Sequence, residues 1–280
     1  MLTELSFALG RLRGRILGWG IGLGLYSLMM VWLYEDVTQI DIEAYLEAFP
    51  EEMMAFFQGI TELATPQGYL DTYYFNYMVL IVGILAIGVG AGLLVNDEER
   101  GILDLVLAHP IGRTALFWGR YLGLALALAV VLLVGQLGWI LPPQSAAMGL
   151  SWVEFLKPCL PLWAALMLFG SLALLLSMVL PSGRLASMVS GALLVANYLL
   201  VGLANVNPDL GRLVQFTPLY YYQGGFAILG IEWNWVAGLV AASATMALVA
   251  WALFVRRDIR VGGEHEWQLM SPLRRLVRGT

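Results

Sequence analysis

Six runs of mainly apolar residues divide the chain: Ile16–Tyr34, Tyr73–Val95, Ala115–Leu141, Leu160–Leu180, Ala186–Ala204 and Trp235–Val255. A helix needs about 20 such residues to cross the hydrocarbon core of a bilayer, so the pattern predicts six membrane-spanning helices. Only "PSGRL" separates the fourth run from the fifth, which reads as a tight Pro/Gly turn. An even number of spans leaves both termini on one side. Composition agrees: 60% of residues are hydrophobic and 12% charged, where soluble domains carry about a quarter charged, and the mean hydropathy is +0.77. The expected fold class is an all-α integral membrane protein, a single transmembrane domain over 1–280. Arg11, Arg13 and Arg15 before an apolar run imitate a secretory signal. That run reaches Tyr34 and ends in "WLYEDV" without a small-residue cleavage site, whereas a signal core spans about 7–15 residues. An uncleaved span fits better.

Charge then orients the bundle. The N-terminus, the second and fourth loops and the C-terminus carry thirteen arginines, among them Arg100, Arg113, Arg120, Arg184 and Arg256; the other side carries only Lys157 and Arg212. The Lys/Arg bias of short loops places the rich side in the cytoplasm. The opposite loop, 35–72, holds nine acidic residues and no basic one. Ile42, Tyr45, Leu46 and Phe49 follow helical spacing, and Pro50 opens "EEMMAFFQG". Two short amphipathic helices capping the outer surface are expected there, with a substrate lid as the alternative. The tail 256–280 holds six arginines against three acids and reads chiefly as orientation-setting charge.

Glycines recur at four-residue spacing in Gly10/Gly14/Gly18/Gly22, Gly88/Gly92 and Gly119/Gly123. Such faces let membrane helices approach closely, and packing within the chain is the simpler reading than a dimer seam. Tyr73, Tyr74, Trp139, Trp152, Trp233 and Trp235 lie near span ends, as an interfacial aromatic belt does. Cys159 is the only cysteine and reads as a small packing residue.

Several chemistries are missing. Lys157 is the only lysine and follows Leu156, so the chain contains no phosphate-binding loop of the GxxxxGK[ST] type. His109 and His265 are too few and too far apart for a histidine metal site. The inner stretches of the six runs contain no ionisable residue, Arg120 being placed about one turn inside the third, within snorkelling reach of the interface. This argues against proton-coupled transport and intramembrane proteolysis. The polar residues left inside include Ser171, Ser177, Ser190, Ser243 and Thr245, read first as hydrogen-bonding glue between helices.

One stretch departs from this oily pattern. "NDEERGILDLVLAHPIGR", Asn96–Arg113, has six charged residues out of eighteen. Its acidic start suits a helix N-terminus and Pro110 suits an end, so a helix over Glu98–Ala108 is expected. Ile102, Leu105 and Val106 form one apolar strip on it, with Leu103 and Leu107 beside them. A net-acidic block is not required by positive-inside statistics, and a docking surface for another protein explains it better.

The segment "EERGILDLVLAHPIGR" resembles the E-x-x-G-T-L-E-L-L-L-x-x-P-x-S-R signature of permease subunits of type-2 ATP-binding-cassette (ABC) exporters. Ile102 stands where the family often has Thr, and Gly112 where it often has Ser. Leu5–Ile16 matches the family's amphipathic elbow before the first span, and residues 1–15 are assigned to that elbow helix. "FTPLYYYQGG", Phe216–Gly225, lies where the family has short re-entrant helices before the sixth span, and "FVRRDI", Phe254–Ile259, resembles its ending. The resemblance implies a bacterial or archaeal permease in the inner (cytoplasmic) membrane, moving a hydrophobic or amphipathic drug, peptide or lipid. Such a chain is not itself an enzyme and binds no cofactor. ATP and Mg would sit on a separate ABC ATPase subunit, two copies per complex, and the permease would pair with a second copy or a related chain. Membrane lipid is an expected partner and nucleic acid is not.

The resemblance further makes 98–107 a coupling helix continuous with the second span. On that reading Asp97, Glu98, Glu99, Arg100, Gly101, Leu103, Asp104, Leu107, Pro110 and Arg113 serve ATPase docking, with Glu99, Arg100 and Asp104 setting register, Leu103 and Leu107 filling a groove, and Gly101 allowing close approach. Asn76, Gln136, Asn197, Phe216 and Tyr220 are the candidates for a substrate path. A non-transporting membrane scaffold and an ATP-independent flippase are the alternatives.

Overall fold

The computed structural model describes residues 2–39, 50–56, 62–99, 101 and 112–256. Within these the chain forms helices α1 (Leu2–Thr38), α2 (Glu51–Phe56), α3 (Pro66–Gly92), α4 (Val95–Glu99), α5 (Arg113–Ile140), α6 (Trp152–Val179), α7 (Gly183–Val206), α8 (Gly211–Val214) and α9 (Trp233–Arg256). Short 3-10 turns lie at Pro143–Met148, Pro208–Leu210, Pro218–Tyr221 and Gly224–Ile228. No strand occurs among the described residues. Six helices, α1, α3, α5, α6, α7 and α9, are long and apolar enough to cross a membrane.

The helices run beyond the apolar runs because capping chemistry sets their ends. The Thr65 side chain accepts the Gly68 N–H and Pro66 occupies the first turn, so α3 begins seven residues before Tyr73. Ser151 and Glu154 form a reciprocal capping box that starts α6 at Trp152. The Ser182 hydroxyl accepts the Leu185 N–H at the head of α7. α1 is unbroken from Leu2 to Thr38, so the expected elbow is not a separate helix. No proline lies between these residues to bend it.

α6 forms the centre of the bundle, with 72% of its apolar window buried, against 22% for α7 and 28% for α1 and α9. It packs on α3 and α9, while α1 lies along α5 and α7 along α3. Small residues set the close approaches. Gly138 faces the backbone of Gly24, and Gly90 that of Gly170, so no Cβ would fit at either position. A Cβ at Gly20 would press on Val134. By contrast, Gly10, Gly14, Gly18 and Gly22 face open space. The packing face of α1 is therefore rotated away from the regular four-residue series expected to carry it.

Hydroxyls tie the centre together. Tyr121, Ser171 and Ser243 form a triangle with sides of 2.9, 3.0 and 2.8 Å, joining α5, α6 and α9. Ser171 and Ser243 thus act as interhelical glue. Ser177 and Thr245 instead bond to carbonyls of their own helices. The aromatic belt holds only in part. Trp152 and Trp233 are well exposed, but Trp139 and Tyr74 are buried in an aromatic core with Tyr69 and Phe75. Their depth along the helix fits a belt, yet their rotational phase points inward. Cys159 is buried, as expected.

Of the two helices expected in the acidic loop, the second is present as α2, and Phe56 packs on Gly202 of α7. The first, over 42–49, lies outside the described residues, as does the tail 257–280.

Candidate functional site

At the arginine-rich end, α4 follows α3 after a break at Leu93–Leu94. Gly101 then adopts φ +67° and its N–H reaches the Glu98 carbonyl at 3.0 Å, ending the helix. Left-handed geometry of this kind favours glycine at a helix C-terminus. The chain is thus not one helix from the second span through Glu98–Ala108, as expected. It is interrupted on both sides of α4, and Gly101 serves as a terminator. Arg100, Leu103, Asp104, Leu107 and Pro110 lie outside the described residues.

Asp97 was expected on an exposed docking face, but it is buried at 3% exposure. Arg11 of α1 grips its carboxylate with two hydrogen bonds, at 2.8 and 3.0 Å. Arg120 of α5 approaches it at 2.6 Å and donates its other nitrogen to the Leu93 carbonyl at 2.8 Å. Arg120 is likewise buried rather than snorkelling. Burial by itself would raise the Asp97 pKa, but the Arg11 hydrogen bonds and the Arg120 charge outweigh it and hold the carboxyl below its ordinary value. Glu99 is exposed and its Oε1 accepts the Gly183 N–H at 3.1 Å, at the first turn of α7. Arg113 donates to the Val255 carbonyl at 3.2 Å, joining the start of α5 to the end of α9. Glu98 is half-buried. The described residues on either side of 100–111 are therefore held by other helices of the bundle.

The opposite end is a different environment. There the chain between α7 and α9 folds back onto the bundle: the Tyr222 hydroxyl donates to the Phe75 carbonyl at 2.8 Å, and the Leu219 N–H to Asn197 Oδ1 at 2.9 Å. Short 3-10 turns occupy the place where re-entrant helices are expected before the last span. Asn197 is thereby committed to bracing this segment. Asn76 lines a cavity of about 90 Å³ between α3 and α7, and Tyr220 lines an adjoining one of about 620 Å³. Gln136 joins neither and lies buried beside Cys159. Phe216 points outward at 88% exposure. The structure so brings Asn76 and Tyr220 together across shared walls and separates them from Gln136 and Phe216.

Sequence reasoning missed Asp71. Its position in the sequence places it in the acidic loop, yet it lies within α3, on a π-helical turn over Asp71–Phe75, buried at 7% exposure. The capping pair Thr65–Pro66 was the signal that the helix starts early enough to include it.

Six apolar helices with this break after the second span describe a multi-pass membrane subunit. The family model for ABC-2 family transporter protein matches residues 18–259. The chain belongs to this family. No curated protein matches it. As an ABC-2 family transporter protein, it is a membrane subunit of an ABC transporter, a multi-pass membrane protein whose transporter implies a partner ATP-binding subunit.

Proposed function

We propose that this ABC-2 permease forms half of the translocation path of an ATP-driven exporter and couples it to a separate ATPase through residues 98–107. Two copies, or one copy with a related permease, would stand on two ATPase subunits that carry the ATP and Mg. The arginine-rich end faces the cytoplasm on the charge bias of the loops, placing the chain in the cytoplasmic membrane. The cargo is hydrophobic or amphipathic.

The observation that carries this reading is the double anchorage of the coupling segment. Asp97 fixes its start to α1 and α5, Glu99 to α7, and Arg113 fixes its end to α9. A push on a segment so tied moves four spans, whereas a push on an ordinary loop is absorbed by the loop. Coupling between distant sites needs this kind of contiguous rigid connection with two discrete arrangements. α4 is set off from α3 at Leu93–Leu94 and ends at Gly101, so its anchorage to α1, α5 and α7 is separate from that of α3.

Replacing Leu103 with Asp is expected to abolish co-purification of the ATPase while membrane insertion is retained. ATPase recovery and transport at the unsubstituted level would show that this segment is not the docking surface.

A further inference from the structure

The spanning helices hold one carboxylate far from the arginines whose environment packing alone does not explain. Asp71 lies about 30 Å along α3 from Gly92, at about 1.5 Å per residue. Its Oδ1 accepts the Gly225 N–H at 2.7 Å, and no ion pair involves it among the described residues. The basic residues at this end are engaged or turned away: Lys157 donates to the Ile228 carbonyl at 2.9 Å, and Arg212 is exposed on α8. Close approach to Asp71 required a special backbone. Gly224 adopts φ +57° against the carboxylate, and a Cβ at Gly225 would lie within 2.6 Å of the Asp71 backbone nitrogen. A buried carboxylate with one N–H partner and no cation is electrostatically incomplete.

What surrounds the carboxylate indicates its complement. The cavity of about 90 Å³ is lined by Asp71, Asn76, Asn205, Tyr198, Tyr222 and Phe226 among others, and no basic residue lines it among the described residues. The Tyr198 hydroxyl there is buried without a hydrogen-bond partner. This chamber shares the walls Asn205, Leu219, Tyr222 and Phe226 with the cavity of about 620 Å³, which continues over Tyr220 and Trp235 and also carries Glu232 but no Lys or Arg. The π-helical turn that bears Asp71 is a geometry frequent at functional sites. In sequence, residues 35–70 add eight acids and no base, a charge balance that attracts cations. Carboxylate, amide and hydroxyl oxygens beside aromatic faces suit an ammonium group, and the larger chamber suits an apolar body.

We propose that Asp71 binds the protonated amine of an amphipathic organic amine, with the ammonium in the small chamber and the apolar portion against Tyr220, Trp235 and Phe226. That such an amine is the cargo rests on the exporter reading; that it binds does not.

The test uses the full chain in zwitterionic lipid nanodiscs, titrated calorimetrically with 4-phenylbutylamine and its uncharged counterpart 4-phenylbutanol. The amine is expected to bind roughly tenfold or more tightly than the alcohol, as an interaction with a charged partner implies. Asp71→Asn keeps an oxygen to accept the Gly225 N–H and is expected to remove that preference, leaving alcohol binding unchanged. Tyr220→Leu, on the outer wall of the larger chamber, is expected to weaken both ligands. Equal affinity of the two ligands for the unsubstituted chain, or an undiminished preference in Asp71→Asn, overturns the proposal; so does Tyr220→Leu binding both at the original affinity. ATPase co-purification with Asp71→Asn separates the two readings. Lost amine preference with docking retained supports the site independently, and intact amine binding by a chain that recruits no ATPase refutes the exporter reading alone.

Discussion

Asp97 shows how a single side chain changes role between sequence and structure. Its neighbours in the chain are charged, so it reads as part of a solvated face, yet its neighbours in space are Arg11 and Arg120. Arg120 is nearly fully buried, while the Arg11 side chain is 40% exposed. Asp97→Asn therefore leaves a buried guanidinium without a counter-charge and is expected to cost about 3–5 kcal/mol. Arg11→Ala removes a half-exposed partner and should cost about 1 kcal/mol or less. Melting temperatures in nanodiscs should fall in that order. The pH dependence has a definite sign. Asp97 has its folded pKa lowered from 3.8, so its contribution is complete above that ordinary value and is lost as pH falls through the lowered one. Acid melting of Asp97→Asn should lack this component. Pairing across 86 residues between Arg11 and Asp97 leaves no local trace, which explains why the sequence pointed elsewhere.

At the scale of elements, hydrophobic length located all six spans, because a bilayer imposes a minimum apolar run whatever the neighbours are. Their ends were harder to read, since caps such as Thr65 and Ser151 are short polar signals outside the apolar runs. Which glycine face packs was also hidden. The regular series Gly10/Gly14/Gly18/Gly22 faces open space, while Gly20 and Gly24 meet α5. Spacing identifies a smooth face but not the direction in which it points. Gly138→Ala must separate α1 from α5 and is expected to lower stability by about 1–3 kcal/mol. Gly18→Ala meets nothing and should leave stability unchanged or slightly improved by helix propensity. Thermal unfolding of the two variants side by side checks the assigned rotation of α1; equal losses would mean the face is misplaced.

For the whole molecule, the two ends divide the work. At the arginine-rich end Asp97, Glu99 and Arg113, which flank residues 100–111, contact four spans. The other end gathers Asp71, Asn76, Tyr220 and Trp235 around two adjoining chambers. α3 links them, with α4 at one end and the π-helical turn of Asp71 at the other. The arginine-rich half was legible only as a charged block in an oily chain. The chamber half was not, because its walls come from α2, α3, α7, the folded-back segment and the first turn of α9, which only the fold brings together. The central claim is that the segment beyond α4 docks a separate ATPase. A photo-crosslinking amino acid placed at position 103 of the full chain, in native membranes with adducts identified by mass spectrometry, tests it most directly. The account predicts an adduct with a protein carrying a phosphate-binding loop, and none from the same probe at Phe216 on the opposite end. Absence of that adduct at 103, or equal labelling from both positions, would contradict it.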